Sequence, residues 1–326
     1  MNNVLNKKIM KKENTVSEYS LLKDMCSIHA PSGNEVGMKD FILDYVKKHS
    51  KNWKHKPKVI HGKNLQDNII LVFGKPRTAI FAHMDSIGFT VRYGKQLVKI
   101  GGPVIQDGFK LVGTDSKGTQ EVELKVVTDK KTGHTTFEYA GKRDFDRGTE
   151  LVFKANWRED KDHLQCCYMD NRLGVYNALK VAETLKNGAI VFSSWEEHGG
   201  GSVSYLQKYL QELYDIDQAL ISDISWISDG VHYAKGPVIS MRDSLIPRRS
   251  FINKIIAVAD KYNCAYQLEV EGSGGSDAKE LQMAAYPWDW CFIGAAEENV
   301  HTPDEKVHKT DVEGMIALYS ALMKEL

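Results

Sequence analysis

From residue 163 to the C-terminus, helix-like and strand-like segments alternate, and this alternation constrains the fold more than any other feature. Amphipathic runs over 172–187, 202–213, 249–262 and 277–285 are each followed by a short apolar run, at 189–195, 218–222, 267–270 and 290–295. A chain that repeats helix and apolar strand in this way must bury both faces of a sheet. The expected class is therefore α/β, a mostly parallel sheet with helices on both faces. Thr310 and Glu313 have capping-box spacing, so a last helix is expected to open at Thr310. Upstream, helical spacing predicts helices over 17–29 and 34–49, separated by Pro31-Ser32-Gly33, and apolar runs predict strands at 69–73 and 79–82. Residues 1–16 are polar and are expected to fray.

Between 88 and 162 the texture changes. Gly-rich turns separate alternating segments such as EVELKVVT and ELVFKANW, and no helical period is present. This stretch reads as a small all-β domain inserted into the α/β unit. The expected organisation is one catalytic domain from 1–87 and 163–326 and an insert at 88–162.

Composition removes several classes. Lys plus Arg is 43 and Asp plus Glu is 43, so the formal net charge is zero. A general nucleic-acid binder needs a cationic face, and none is expected here. No apolar run approaches the roughly 18 residues of a membrane helix, and the N-terminus lacks the apolar core of a secretory signal. No membrane partner is expected. Five cysteines (26, 166, 167, 264 and 291) include no C-x-x-C pair, which suits reduced, buried thiols in a cytoplasmic protein. Adjacent Cys166 and Cys167 have nothing nearby to complete a metal or redox site. Several motifs are absent: G-x-S-x-G, the phosphate-binding and dinucleotide-binding glycine loops, and H-E-x-x-H. The glycines at 199–201 and 272–275 read as flexible turns.

The remaining chemistry gathers at strand ends. His83 and Asp85 follow one strand; Glu196 and Glu197, Asp223, and His301 follow three others; Asp170 precedes a helix. In open α/β sheets, ligands bind beyond the carboxyl ends of the strands. A single His, a Glu-Glu pair or an Asp after a strand is ordinarily structural, and His61, His134 and His163 are taken as such. Together the set is a metal-type constellation. Imidazole and carboxylate without thiolate suit zinc, cobalt or manganese. Five ligands with one shared carboxylate suffice for two ions. The second Glu of the pair is placed to ligate and the first to accept a proton, while Asp85 is placed to fix the tautomer of His83.

The ordered motifs HMDSIGF (83–89), MDNRLGV (169–175), EEHGGG (196–201), SDIS (222–225), GSDA (275–278) and VHTPDEKV (300–307) resemble the cocatalytic two-metal aminopeptidases called tetrahedral, deblocking or glutamyl aminopeptidases, family 42 of the metallopeptidases. The resemblance spans about 17–326. His83 and Asp170 lie 87 residues apart, with the β segment between them. That insert position favours this branch over clan relatives, which carry an extra domain elsewhere or none. The resemblance implies a phosphorylase/hydrolase-like, zinc-peptidase type of core. It implies that Asp170 bridges two divalent ions, zinc or cobalt with manganese as a further option. His83 and Asp223 then complete one ion, and Glu197 and His301 the other. Glu196 is the implied general base for a hydroxide held between the metals, and Asp85 supports His83 from behind. The implied substrates are peptides with a free N-terminus. The implied assembly is a homo-oligomer, a dimer building to a dodecamer through the β insert. Departures from the family pattern are Ser86, His198, Ser276 and the acidic Glu297-Glu298; none removes a ligand. The roles of His198 and Asp277 stay open. Alternatives are a clan-related carboxypeptidase or N-deacylase, a glycoside hydrolase, or a catalytically idle homologue.

Overall fold

The computed structural model describes residues 17–326; the fraying expected for 1–16 lies outside the described residues. Helices α1 (Ser20–Cys26) and α2 (Val36–His49) precede strands β1 (Lys58–Gly62), β2 (Gln66–Phe73) and β3 (Thr78–His83). Six strands follow: β4 (Gly88–Val91), β5 (Gln96–Ile100), β6 (Lys110–Asp115), β7 (Gly118–Thr128), β8 (Thr135–Ala140) and β9 (Glu150–Phe153). Next come β10 (Arg158–Glu159), β11 (His163–Gln165), α3 (Met169–Ala182), β12 (Gly188–Ser193), α4 (Val203–Tyr214), β13 (Gln218–Trp226) and β14 (Val238–Arg242). The chain ends with α5 (Arg249–Lys261), β15 (Gln267–Val270), α6 (Ala278–Met283), β16 (Asp289–Glu298), β17 (Lys306–His308) and α7 (Lys309–Glu325).

One sheet runs in the order β1-β2-β12-β3-β13-β16-β17-β11-β10, with β14 paired to β16 and β15 to β14. Its centre, β12-β3-β13-β16, is parallel. Its flanks are antiparallel apart from the parallel β14-β15 pair, so the sheet is mixed rather than mostly parallel. For the β1-β2 hairpin and the short strands β17, β11 and β10, connection length accounts for this. Parallel neighbours need a crossover of a dozen or more residues. β1 and β2 are joined by a short turn, and β17, β11 and β10 are brief edge strands without crossover helices.

Strand parity splits the core into two layers. On β3, Ile80 and Ala82 face one layer while Ala79 and Phe81 face the other; on β12, Ile190 and Phe192 oppose Ala189 and Val191. The first layer is covered by α1, α2, α3, α5 and α7, the second by α4 and α6. This is the period-2 alternation of a sheet buried on both sides.

The six strands β4 to β9 close into a barrel, β4-β5-β8-β7-β6-β9. It occupies 88–153 of the all-β stretch, while β11 joins the large sheet through β17. The barrel interior, including Phe89, Leu111, Leu124 and Leu151, is continuous with the first core layer. Phe153 stacks on Tyr168 beside α3, with ring centroids 6.3 Å apart. The last helix opens differently from the capping-box expectation. His308 Nδ1 accepts the Thr310 N–H at 3.2 Å, and Glu313 instead accepts from the Tyr19 hydroxyl at 2.9 Å.

Candidate metal centre

The carboxyl ends of the parallel strands meet at one cavity of about 600 Å³ counted to its open mouth. β3 ends on His83, which is 1 % exposed. β12 ends at Ser193, and the chain then turns through Trp195 at φ 67°, so that Glu196 and Glu197 both reach the cavity. β13 carries Asp223, and the loop after β16 carries His301. Asp170 sits in the first turn of α3 with non-helical φ −75° and ψ 104°, so the regular helix starts beyond Asn171.

Two triads share Asp170: His83, Asp170 and Asp223, and Asp170, Glu197 and His301. Within each, the donor atoms lie within 4.8 Å of one another. His83 Nε2 is 3.2 Å from Asp170 Oδ1 and 3.4 Å from Asp223 Oδ2. His301 Nε2 is 3.3 Å from both Asp170 Oδ2 and Glu197 Oε2. Glu196 belongs to neither triad; its Oε2 is 3.9 Å from His83 Nε2. Among the described residues, seven carboxylates and two imidazoles line the cavity with no Lys or Arg. Such crowding is costly unless cations compensate it. The set of nitrogen and oxygen donors, with buried Glu197 Oε1 lacking any partner, therefore fits a pair of divalent ions.

The same crowding shows in the titration behaviour. Burial opposes protonation of His83, yet Asp223 and Asp170 override it and hold the imidazole well above its usual range. For His301, burial is likewise overridden by Asp170 and Glu197, which push it up to about 12. Burial, then Asp170, lifts Glu197 to about 7. Glu196 is raised well above the carboxylate range, by burial with Glu197 contributing. Asp277 is raised to about 7, chiefly by burial.

Asp85, fully buried, sits behind His83 with Oδ1 3.3 Å from Nδ1. It also accepts the backbone N–H groups of Glu196 at 3.2 Å and Glu197 at 3.1 Å, and the Ser32 hydroxyl at 2.5 Å. Residues given no site role from the sequence complete the support. Ser276 donates to Asp223 Oδ2 at 2.6 Å. Buried Glu305 accepts the backbone N–H of His301 at 2.9 Å and of Asp170 at 3.2 Å. Buried Arg172 donates to the carbonyls of Met84 and Asp85 at 2.5 and 3.0 Å. The signal for Glu305 and Arg172 was their position inside the metal-type motifs. Ser32 had none. Gly174 lets α3 approach β13, since a Cβ there would lie 2.1 Å from the Ser222 carbonyl oxygen.

His198 is exposed, and its Nδ1 accepts the Gly101 N–H at 3.0 Å. Asp277 accepts from the Ser193 hydroxyl at 2.5 Å. Gly274 and Gly275 line the cavity, so that glycine run is more than a turn. His61, His134 and His163 do not line it; His61 is exposed on β1 and His134 is exposed in the turn before β8. All five cysteines are free thiols.

The fold is shared with solved aminopeptidases. An aminopeptidase from the archaeon Desulfurococcus kamchatkensis superposes with a TM-score of 0.81 at 21 % identity, over 94 % of each chain. A TET aminopeptidase from a marine sediment Thaumarchaeota archaeon gives 0.80 at 18 %, over 94 % of this chain and 95 % of that one. The TET1 peptidase of Pyrococcus horikoshii, which can assemble into a tetrahedron or a large octahedral shell, gives 0.78 at 22 %, over 95 % of this chain and all of that one. At these identities the likeness concerns the fold. The family model described as M42 glutamyl aminopeptidase matches residues 114–318, well over half of the chain. The chain belongs to the M42 glutamyl aminopeptidase family and is a hydrolase that acts on peptide bonds.

Proposed function

We propose that this protein is a two-metal aminopeptidase that trims peptides one residue at a time from a free N-terminus. The observation that carries the reading is the pair of triads hinged on Asp170. His83 and Asp223 would hold one ion with Asp170, and Glu197 and His301 the other. Zinc, cobalt and manganese all suit this donor set. When bound, such ions polarise the scissile carbonyl and lower the pKa of water enough to make it a nucleophile at neutral pH.

The chain's own residues do the rest. Glu196, outside both triads and open to the cavity, takes the proton of the attacking water and delivers it to the leaving amine. Its raised proton affinity suits that relay. Asp85 Oδ1 stands 3.3 Å behind His83 Nδ1 and favours the tautomer whose Nε2 lone pair is turned toward the centre. By its bonds to the Glu196 and Glu197 amides, Asp85 also fixes the loop that presents both carboxylates.

We further propose that residues 1–87 and 163–326 form the catalytic unit and that the barrel mediates assembly, from dimers up to twelve subunits. Tyr93, Val98 and Val104 are exposed apolar residues on and beside the barrel, and the Pyrococcus horikoshii relative assembles into a closed shell. A cytoplasmic setting accords with five free thiols; among the described residues no helix is long and apolar enough to cross a membrane.

The test uses chelator-stripped protein reloaded with zinc, cobalt or manganese in turn. It is offered free-amine aminoacyl substrates, N-acetylated peptides and a soluble glucan. Metal-restored release from free-amine substrates alone is expected. Cleavage confined to blocked substrates would move the protein to a deacylase or carboxypeptidase function, and glucan cleavage to a glycosidase.

A further inference from the structure

We propose that the part of the cavity beyond the two triads is a recognition pocket for a cationic N-terminal side chain, lysine or arginine, and that Asp243 and Glu269 hold its charge. The inference rests on the aminopeptidase reading and names the substrate class of the same site.

Of the seven carboxylates lining the cavity, four belong to the triads or to Glu196. The other three, Asp243, Glu269 and Glu271, come from the ends of β14 and β15. Asp243 is 5 % exposed and Glu269 7 %. Neither is in an ion pair among the described residues. Asp243 Oδ1 accepts the Leu245 N–H at 2.6 Å, and its other oxygen has no hydrogen-bond partner among the described residues. Among the described residues Glu269 is met by hydroxyls alone, accepting from Ser225 with Ser240 beside it. The nearby guanidinium of Arg242 favours ionised Asp243 by its charge but pairs with neither carboxylate, since its Nε donates to the backbone carbonyls of Asp243 and Glu271 at 3.3 and 3.0 Å.

Two buried carboxylates without a cation are expensive to maintain unless a ligand completes them. Trp226 and Phe292 border the same space and offer apolar walls to a methylene stem whose charged head goes deeper. A glutamate side chain would meet like charge and an unmet desolvation cost, which excludes it as effectively as a clash. The pocket's charge is thus opposite to what a glutamyl substrate needs.

The experiment compares kcat/KM for Lys-, Arg-, Leu- and Glu- chromogenic amides on the metal-loaded enzyme, then on Asp243→Asn and Glu269→Gln. Lys or Arg is expected to exceed Leu by at least about tenfold, with Glu lowest, and each variant to cut the Lys-to-Leu ratio about tenfold or more. A neutral or acidic optimum in the wild-type panel would overturn this inference alone and leave the peptidase reading standing. So would variants that fold but keep the ratio. Silence on every free-amine substrate would overturn both. The wild-type panel decides the matter even if a variant misfolds.

Discussion

Glu305 accepts the backbone N–H of His301 at 2.9 Å, and its other carboxylate oxygen accepts that of Asp170 at 3.2 Å. One buried side chain thus sets the backbone of a residue in each end of the second triad, and His301 sits at φ 64°, a conformation that needs such support. Glu305→Gln replaces one acceptor with a donor. Metal affinity, measured by competition with a chromogenic chelator, should fall about 10- to 100-fold. Unchanged affinity in a folded variant would refute the positioning role.

The shared position of Asp170 makes stoichiometry informative. Elemental analysis after dialysis should find about two ions per wild-type chain. His301→Ala should retain close to one, because the triad of His83, Asp170 and Asp223 is untouched. Asp170→Asn should lose affinity at both positions. If Asp170→Asn still held two ions tightly, a bridging role would be untenable.

Glu196 stands apart from the triads, so its removal should separate chemistry from metal binding. Glu196→Gln is expected to lower kcat at least about 100-fold, the usual scale of general-base participation. Metal content and the thermal unfolding midpoint should stay at wild-type levels. Full turnover by this variant would remove Glu196 from the mechanism.

Glu35 links the fold to pH. It is 2 % exposed and accepts the Gly33 and Trp195 N–H groups at 2.9 and 3.2 Å. Burial raises its carboxyl from 4.5 to about 7. The folded state therefore prefers it protonated. The stability this confers is whole below about pH 4.5 and is lost as pH rises through about 7. Glu35→Gln should gain stability relative to wild type between pH 5 and pH 8, by at most about 3 kcal/mol. Urea midpoints at the two pH values measure it, and a constant difference between the proteins would contradict the shifted titration.

Much of this architecture was legible in the sequence because burial on both faces of a sheet leaves a period. The runs at 69–73 and 79–82 appear as β2 and β3, and the helix expected over 34–49 is α2 at Val36–His49. The antiparallel flanks were not legible. β17 is three residues long and β14 has a mixed, half-exposed end, too little for a periodic signal. The last helix misled by its local motif: Thr310 and Glu313 have capping spacing, but the Tyr19 hydroxyl claims Glu313 and His308 takes the cap. The site's side chains could be picked out because they follow strand ends. Glu305 could not be assigned, because its partners are backbone amides brought together only by folding. The acidic floor of the cavity escaped for a similar reason. Asp243 and Glu269 lie 26 residues apart and become neighbours of the centre only through the β14-β15 pairing.

The loop that leaves β5 reaches across to the centre. The carbonyl of Gly102 lies 3.1 Å from His301 Nδ1, and the N–H of Gly101 bonds His198 at 3.0 Å. With Nδ1 bearing the proton toward Gly102, the Nε2 lone pair faces Asp170 and Glu197. The protonation pattern of this imidazole is therefore set by the loop that leaves β5, a part of the chain nearly 200 positions away. Withdrawing that loop would strip His301 of the contact that selects its tautomer, even with every strand of the large sheet in place. The barrel thus acts on the centre through one hydrogen-bonded loop rather than as a wall of the cavity, and whatever steadies that loop also steadies His301.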